Sequence, residues 1–178
     1  MGDWRLRTFV APLGLAFLVG LALACASATS TPEARVAAAG AGPHADLESR
    51  AFVLVNAHRR GLGLASLVSD SDLAERARGH STWMAGRGEL DHSGFEQRYA
   101  TSTKGFPAAR FAENLGLAIG TEQSPADSTV ARWLAEAAHR KNAEGPYDRT
   151  GVGVARSEEG VFYFTQLFLG VESTKARP

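Results

Sequence analysis

Residues 124–142 of the chain read SPADSTVARWLAEAAHRKN, and this stretch predicts the helix around which the rest of the chain packs. Ser124 can cap its start, and Pro125 suits the first helical position because its φ angle is fixed and it lacks a backbone donor. Apolar residues follow at helical spacing, which predicts a buried stripe. That stripe consists of Val130, Leu134 and Ala137. The pattern therefore predicts one continuous helix with a single apolar side.

Glu136 and His139 are three residues apart in this stretch, so a helix makes them neighbours on the side away from the apolar stripe. The plain interpretation of such a pair is a solvated helix face. A functional interpretation requires further polar side chains, supplied by other parts of the chain, to meet the pair.

The composition indicates one globular domain with additional segments. The chain has 178 residues, of which 44% are hydrophobic, enough for a substantial core. Its 19 basic and 19 acidic side chains give a formal net charge of zero, so no basic field is available to attract nucleic acid. The single cysteine excludes an intramolecular disulfide framework and a cysteine-rich metal site. We expect a monomer that does not bind nucleic acid.

The N-terminus has the pattern of an export signal. Arg5 and Arg7 precede an uncharged apolar run that ends in small residues just before Cys25. This pattern predicts a signal peptide over residues 1–24 and a membrane-anchored lipoprotein in which Cys25 is the acylated first residue. Two alternatives stay open here: cleavage of an ordinary signal with release of a secreted product, and an uncleaved anchor.

The rest of the chain divides into a tether, a domain and a tail. Residues 25–45 are rich in Ala, Ser, Thr, Gly and Pro and predict a flexible tether, because they carry too little apolar surface to offset the entropy of ordering. Residues 46–172 predict the folded domain, and residues 173–178 predict a short tail. Apolar periodicity predicts helices at 46–60 and 70–87.

Three strands are predicted in the domain, at residues 116–119, 151–155 and 161–169. The last of them, VFYFTQLFL, is apolar on both faces, which is typical of a central strand covered by helices on both sides. The order of elements is two helices, a strand, a helix and a strand pair, which favours an α+β fold. We predict a three-layer α-β-α sandwich with a small antiparallel sheet.

Two further features carry polar chemistry. Asp91, His92 and Ser93 look superficially like a hydrolase triad, but three successive side chains in an extended loop point apart, so His92 alone is of interest. Glu113 lies at the start of an apolar strand, where a carboxylate is unfavourable unless a polar group faces it. Glu113 therefore requires a polar partner.

Four segments, in this order, resemble the CAP superfamily (cysteine-rich secretory protein, antigen 5, pathogenesis-related 1) in its short bacterial SCP-domain form. They are FAENL at 111–115, WLAEAAHRKN at 133–142, YDRTGVGV at 147–154 and FYFTQLF at 162–168. The resemblance covers the whole folded part and implies the family's α-β-α sandwich. It also implies a central cleft lined by two histidines and two glutamates.

Carried over by position, the resemblance implies a metal-binding set in this cleft. His92 takes the first histidine position, and Glu113 and Glu136 take the two glutamate positions. The second histidine position falls at Tyr163, so His139 is expected to replace it. A weakly held, zinc-like divalent ion is the implied cofactor, because imidazole nitrogen and carboxylate oxygen both bind zinc. Other residues expected to line the cleft are Asn114, Tyr163 and Gln166.

The resemblance favours a non-enzymatic extracytoplasmic binding module, either attached to the cell envelope or secreted. Its cleft would hold the divalent ion, and a nearby apolar site would bind a lipid or sterol, or a cell-envelope or host partner. The alternative is a hydrolase, a peptidase or esterase, in which a metal or the carboxylate of Glu113 or Glu136 activates water near His92. The sequence contains no His-Glu-x-x-His or Gly-x-Ser-x-Gly motif, which weakens that alternative. A hydrogen-bonded network that only shapes the cleft is compatible with either.

Overall fold

The computed structural model describes residues 42–106, 109–119 and 124–171. The predicted signal peptide, Cys25 and most of the tether lie outside the described residues, so the export signal and the lipid anchor stay predictions. The helices are α1 Ala45–Gly61, α2 Ser71–Arg87, α3 Phe95–Ser102, α4 Pro125–Ala135 and α5 Ala137–Ala143. The strands are β1 Val68–Ser69, β2 Arg110–Ile119, β3 Arg149–Arg156 and β4 Val161–Gly170. Within the described residues, no helix is long and apolar enough to cross a bilayer.

The strands form one mixed sheet in the order β1-β3-β4-β2. β4 pairs antiparallel with β3 on one side and with β2 on the other, so the predicted central strand is confirmed. β1 pairs with β3 in parallel over two residues only. The sheet predicted as purely antiparallel therefore has an additional parallel strand, which is too short to leave a periodic pattern in the sequence.

Successive side chains of β4 enter two separate cores on opposite faces of the sheet, because strand residues alternate in direction. Phe164 and Phe168 pack with the buried residues of α1 and α4, among them Trp133. Leu167 packs with Leu73 of α2 on the other face. Helices therefore cover both faces, and the predicted three-layer α-β-α sandwich is confirmed.

The distance between α2 and the sheet is set by glycines in β3. A Cβ atom added to Gly153 would be 2.0 Å from the backbone nitrogen of Arg78, and one added to Gly151 would be 2.2 Å from that of Ala74. No side-chain carbon can approach a backbone nitrogen that closely. The segment GVG of β3 is therefore a surface on which the α2 backbone rests directly.

The stretch 124–142 forms two helices rather than the predicted one. α4 ends at Ala135, and Glu136 has an extended backbone (φ −85°, ψ 126°) before α5 begins. Nη1 of Arg140 donates to the carbonyl oxygen of Leu134 at 3.0 Å and to that of Ala135 at 3.2 Å. These hydrogen bonds satisfy carbonyl groups left unpaired at the end of α4, so they stabilise the break.

The predicted apolar stripe is wrong at its last position as a consequence of the break. Ala137 is exposed, whereas Trp133 is 1% exposed and donates from Nε1 to the carbonyl oxygen of Leu115 at 2.7 Å. Trp133 is therefore the side chain that fixes α4 on the sheet. Ser124 makes no side-chain capping hydrogen bond, while Pro125 occupies the first turn as predicted.

Arg59 ties the end of α1 to the segment that follows α5. The residue is 3% exposed, and its Nη1 donates to the carbonyl oxygens of Ala143 at 2.7 Å and Gly145 at 3.0 Å. Its Nε donates to the carbonyl oxygen of Ala65 at 2.8 Å, and burial lowers the pKa of Arg59 below its ordinary value. Because one buried guanidinium joins three segments, α5 is held in a fixed position beside β2.

Candidate functional site

Glu113 of β2 is the buried centre of the polar site, with a side chain 1% exposed. Nε of Arg98 donates to its Oε2 at 2.6 Å, and Nη2 of Arg98 donates to its Oε1 at 2.8 Å. Nδ1 of His92 donates to the same Oε1 at 2.8 Å. Glu113 therefore has two polar partners: the guanidinium of Arg98, which makes a bidentate contact, and the imidazole of His92.

Arg98 is the functional residue that sequence reasoning missed. It lies on α3, which is positioned by a loop with left-handed glycines at Gly88 (φ 71°) and Gly94 (φ 77°). Its Nη1 donates to the carbonyl oxygen of Ser93 at 2.9 Å and to Nδ1 of His80 at 3.1 Å. The available signal was a cation on a short polar helix close in sequence to a carboxylate that needed a partner.

His80 of α2 is 6% exposed and has both ring nitrogens engaged. A guanidinium can only donate, so Nδ1 of His80 accepts from Arg98, and Nε2 carries the proton and donates to the carbonyl oxygen of Asp91 at 2.8 Å. Burial first, and the charge of Arg98 second, lower the pKa of His80 below its ordinary value. His80 is therefore a neutral imidazole that holds the 88–94 loop and Arg98 in place.

The lowered pKa of His80 predicts that the protein loses stability in weak acid. Below about pH 6.5 the unfolded chain takes up a proton on His80 while the folded chain does not. The contribution is therefore complete above that pH and is lost as the pH falls toward the folded-state pKa. Urea unfolding of the wild type and of His80→Gln, from about pH 8 to about pH 5, measures this. The stability difference between the two proteins should shrink or reverse in acid, and a difference independent of pH would contradict the prediction.

Glu136 and His139 form a second pair, which lines a separate cavity beside β2. Nδ1 of His139 is 3.0 Å from Oε2 of Glu136, although the two groups are not aligned for a hydrogen bond. Glu136 lies at the break between α4 and α5 with a side chain 61% exposed, whereas that of His139 is 23% exposed. The two side chains lie close together as predicted, although Glu136 lies between the two helices and not within one continuous helix.

Two amide side chains connect the pairs. Nδ2 of Asn114 donates to the carbonyl oxygen of His139 at 3.0 Å, and its Oδ1 accepts from Nδ2 of Asn142 at 2.9 Å. Nδ2 of Asn142 also lies 3.2 Å from the carbonyl oxygen of Glu113, which it can reach as a second acceptor. The predicted cleft residue Asn114 is thus fully buried and links α5 to β2 instead of facing a ligand.

The four predicted metal ligands do not form one site in this structure. His92 and Glu113 line a cavity of about 400 Å³, and Glu136 and His139 line a separate one of about 170 Å³. Within the part of the chain that the structure describes, no group of three or more His, Cys, Asp or Glu side chains is placed to hold a metal ion. Both oxygens of Glu113 already accept from Arg98, whose charge disfavours a second cation beside it. The residues therefore do not fit a shared metal centre, and zinc binding stays a prediction.

Tyr163 and Gln166, expected to line the cleft, are core residues. Tyr163 is 3% exposed and packs with Met84 and Leu115. Gln166 is fully buried, and its Nε2 donates to Oγ1 of Thr150 at 3.1 Å. β4 is the central strand, so its side chains are covered by helices on both faces before they can reach a cavity.

Of the residues Asp91, His92 and Ser93, only His92 points away from the other two, so the prediction that all three side chains diverge is wrong for Asp91 and Ser93. Oγ of Ser93 donates to Oδ2 of Asp91 at 2.6 Å, while His92 turns its Nδ1 to Glu113. The serine hydroxyl is therefore held by Asp91 and not by the imidazole, which is the opposite of what a nucleophile needs. This arrangement gives no support to the predicted hydrolase alternative.

The cavity beside His92 and Glu113 has one polar end and one apolar wall. Phe95 and Phe111 form the wall with ring centroids 5.6 Å apart, and Tyr99 packs against Phe111 at 5.9 Å. The His92 side chain is 58% exposed, and with Nδ1 on Glu113 its Nε2 is the nitrogen left to hydrogen-bond a ligand. The cavity can therefore take a molecule with a small polar head and an apolar body.

Comparison with known proteins identifies relatives of this chain. The sequence model described as the cysteine-rich secretory protein family, CAP, matches residues 52–168. No curated protein matches the sequence. An outer surface protein from Borrelia burgdorferi is similar in structure, with 19% identity and a TM-score of 0.60. That match covers 71% of this chain and 94% of the Borrelia protein.

Two longer bacterial proteins are also similar in structure. An extracellular protein containing an SCP domain from Bacillus anthracis is 25% identical with a TM-score of 0.56, and the match covers 81% of this chain and 45% of that one. A cysteine-rich secretory protein from Staphylococcus aureus is 21% identical with a TM-score of 0.55, covering 70% of this chain and 38% of that one. This chain spans less than half the length of each.

Proposed function

Because the chain belongs to the cysteine-rich secretory protein (CAP) family, we propose that it is an exported, non-enzymatic binding module that takes an amphiphilic lipid beside His92 and Glu113. Export is supported by the signal-peptide pattern of residues 1–24 and by the extracellular SCP-domain protein from Bacillus anthracis. Lipidation of Cys25 would hold such a module at the membrane surface, within reach of envelope lipids.

The observation that carries the proposal is the composition of the cavity between α3 and β2. Its volume of about 400 Å³ lies within the range of small-molecule sites. Phe95 and Phe111 supply an apolar wall, and Nε2 of His92 supplies a hydrogen-bonding group for the hydroxyl or carboxyl head of a fatty acid or sterol-like lipid. The hydrogen bond from His92 to Glu113 fixes the orientation of the imidazole ring, so its Nε2 is already in position before the ligand binds.

The same contacts favour binding over catalysis. The oxygens of Glu113 are occupied by Arg98 and His92, so its carboxylate is not placed to act as a general base. The hydroxyl of Ser93, next to His92 in the chain, is held by Asp91, so it is not placed for the imidazole to activate. The proposal does not include a metal ion, because both oxygens of Glu113 already accept hydrogen bonds from Arg98. His92 then acts as a fixed hydrogen-bonding group and not as a proton-transfer group.

Removal of the apolar wall should weaken lipid binding. We expect Phe95→Ala to reduce affinity for cis-parinaric acid, a fluorescent fatty acid, about tenfold, because the acyl chain loses an aromatic contact surface. The measurement is a fluorescence titration of the purified full-length protein, together with a thermal unfolding curve for each variant. Leu62→Ala is the matched control, since Leu62 is a 54% exposed apolar residue at the end of α1.

Two outcomes would contradict the proposed function. One is the absence of saturable binding of the fatty acid to the wild type. The other is an equal affinity of the folded Phe95→Ala and Leu62→Ala variants, which would show that the fatty acid binds elsewhere.

A further inference from the structure

We propose that a groove between α2 and α3 binds a small organic anion, with a carboxylate or phosphate head on Arg76 and an aromatic body against Trp83. The groove has a volume of about 430 Å³ and shares no lining residue with the cavity assigned to lipid. The residues that matter here are Arg76, His80, Trp83, Gln97, Arg98 and Thr101.

Arg76 supplies the binding group. Its Nε is shielded from solvent, and no described residue accepts a hydrogen bond from it. A buried N–H without an acceptor is unfavourable. The Arg76 side chain is only partly buried and lines the groove, so a small turn of the side chain brings this N–H to an acceptor bound there. A guanidinium matches the paired oxygens of a carboxylate or phosphate, which makes an oxyanion the best complement.

The charges around the groove favour an anion over a neutral ligand. None of the described residues that line it is acidic. The charge of Arg98 is matched by Glu113 at 2.6 Å, whereas Arg76 forms no ion pair with any described residue. The uncompensated charge in the groove is therefore the positive one of Arg76, and it attracts an anion.

Trp83 supplies the surface for the body of the ligand. It is 39% exposed, and its indole stacks on the His80 ring with centroids 5.7 Å apart and an angle of 15° between the planes. The guanidinium carbon of Arg87 lies 5.0 Å from the centroid of the same indole. These two contacts hold the indole in place, so the exposed part of the ring offers an aromatic ligand a surface that is already ordered.

The experiment uses three probes that share a benzene ring: phenyl phosphate, benzoate and uncharged benzyl alcohol. Binding to the full-length protein is measured by calorimetric titration, and the shift of the Trp83 indole N–H signal in NMR spectra locates it. We expect one or both anions to bind with a Trp83 shift, and benzyl alcohol to bind at least tenfold more weakly. The stronger of the two anions identifies the head group as phosphate or carboxylate.

Arg76→Gln tests the assigned contact, and Arg60→Gln is the control because Arg60 is an exposed arginine of α1. We expect Arg76→Gln to weaken anion binding at least tenfold and Arg60→Gln to leave it unchanged. The proposal is overturned if neither anion binds the wild type, if benzyl alcohol binds as tightly as the anions, or if both variants bind alike. Fatty-acid binding beside His92 is measured in a separate experiment. A negative result for the anion site therefore does not affect the lipid proposal, and the reverse also holds.

Discussion

Replacement of Arg98 by methionine is expected to lower the free energy of unfolding by about 3–5 kcal/mol, the cost of removing one partner from a buried ion pair. Glu113 would lose its guanidinium partner in a position where only 1% of its side chain is exposed, with His92 as its remaining side-chain hydrogen-bond donor. Methionine retains most of the apolar length of the arginine side chain, so the loss reports the charge and the hydrogen bonds. Urea unfolding of the two proteins measures the difference.

A double-variant cycle separates this effect from a general loss of packing. Glu113→Gln removes the buried charge, so Arg98→Met should cost much less in the Glu113→Gln background than in the wild type. Arg60→Met serves as a control for replacement of an exposed arginine and should change stability by less than about 0.5 kcal/mol. A loss below about 1 kcal/mol for Arg98→Met, or strictly additive losses in the cycle, would refute the central role assigned to the ion pair.

The second large effect is expected from Gly153→Ala, which should destabilise the domain by about 3 kcal/mol or more through overpacking. The new methyl group would lie 2.0 Å from the backbone nitrogen of Arg78 and 2.3 Å from the carbonyl carbon of Ala77. Backbone atoms of a helix cannot move aside as a flexible side chain can, so α2 as a whole must shift away from β3. The shift would also open the core around Leu73.

Gly79→Ala is the matched control for this prediction. Gly79 lies within α2, and a Cβ atom there has no other heavy atom within 4 Å, so the substitution should stabilise the helix by about 0.5–1 kcal/mol. Thermal and urea unfolding should therefore shift in opposite directions for the two glycine-to-alanine variants. A Gly153→Ala variant as stable as the wild type would show that α2 is not in direct contact with β3.

The sequence predicted the secondary structure correctly where a repeating pattern of apolar residues marks a buried face. The apolar faces of residues 161–169 predicted a central strand, and the observed strand Val161–Gly170 has neighbours on both sides. The periodicity of residues 70–87 predicted a helix that is observed as Ser71–Arg87. Both predictions depend on a repeat of side chains over many residues, and such repeats arise because one face must be kept from water.

The break at Glu136 was not predictable in the same way. Helix-forming residues continue through the whole stretch 124–142, so local propensity favours one helix. The structure instead directs Nη1 of Arg140 back to the end of α4, which stabilises an extended residue between two helices. Hydrogen bonds of this kind depend on the conformation of a single residue and leave no periodic signal.

The contacts within the polar site were likewise only partly predictable from the sequence. The need of Glu113 for a polar partner followed from its place in an apolar strand, and His92 was named from the resemblance to the CAP family. Arg98, which makes the shorter contact of the two with Glu113, was not named. Glu136 and His139 were expected to join the same group but line a different cavity.

By itself, the sequence determined the layers of this domain, its central strand, its CAP-family membership and the presence of a buried carboxylate that had to be neutralised. Only the tertiary structure decided which side chain neutralises that carboxylate, and that the four polar residues of the family pattern separate into two pairs. The physical reason is the range of the interactions involved. Burial leaves a repeating pattern along the chain. The 2.6 Å hydrogen bond from Arg98 to Glu113 instead depends on how α3 is placed beside β2, and the loop before α3, with its left-handed glycines, leaves no such pattern.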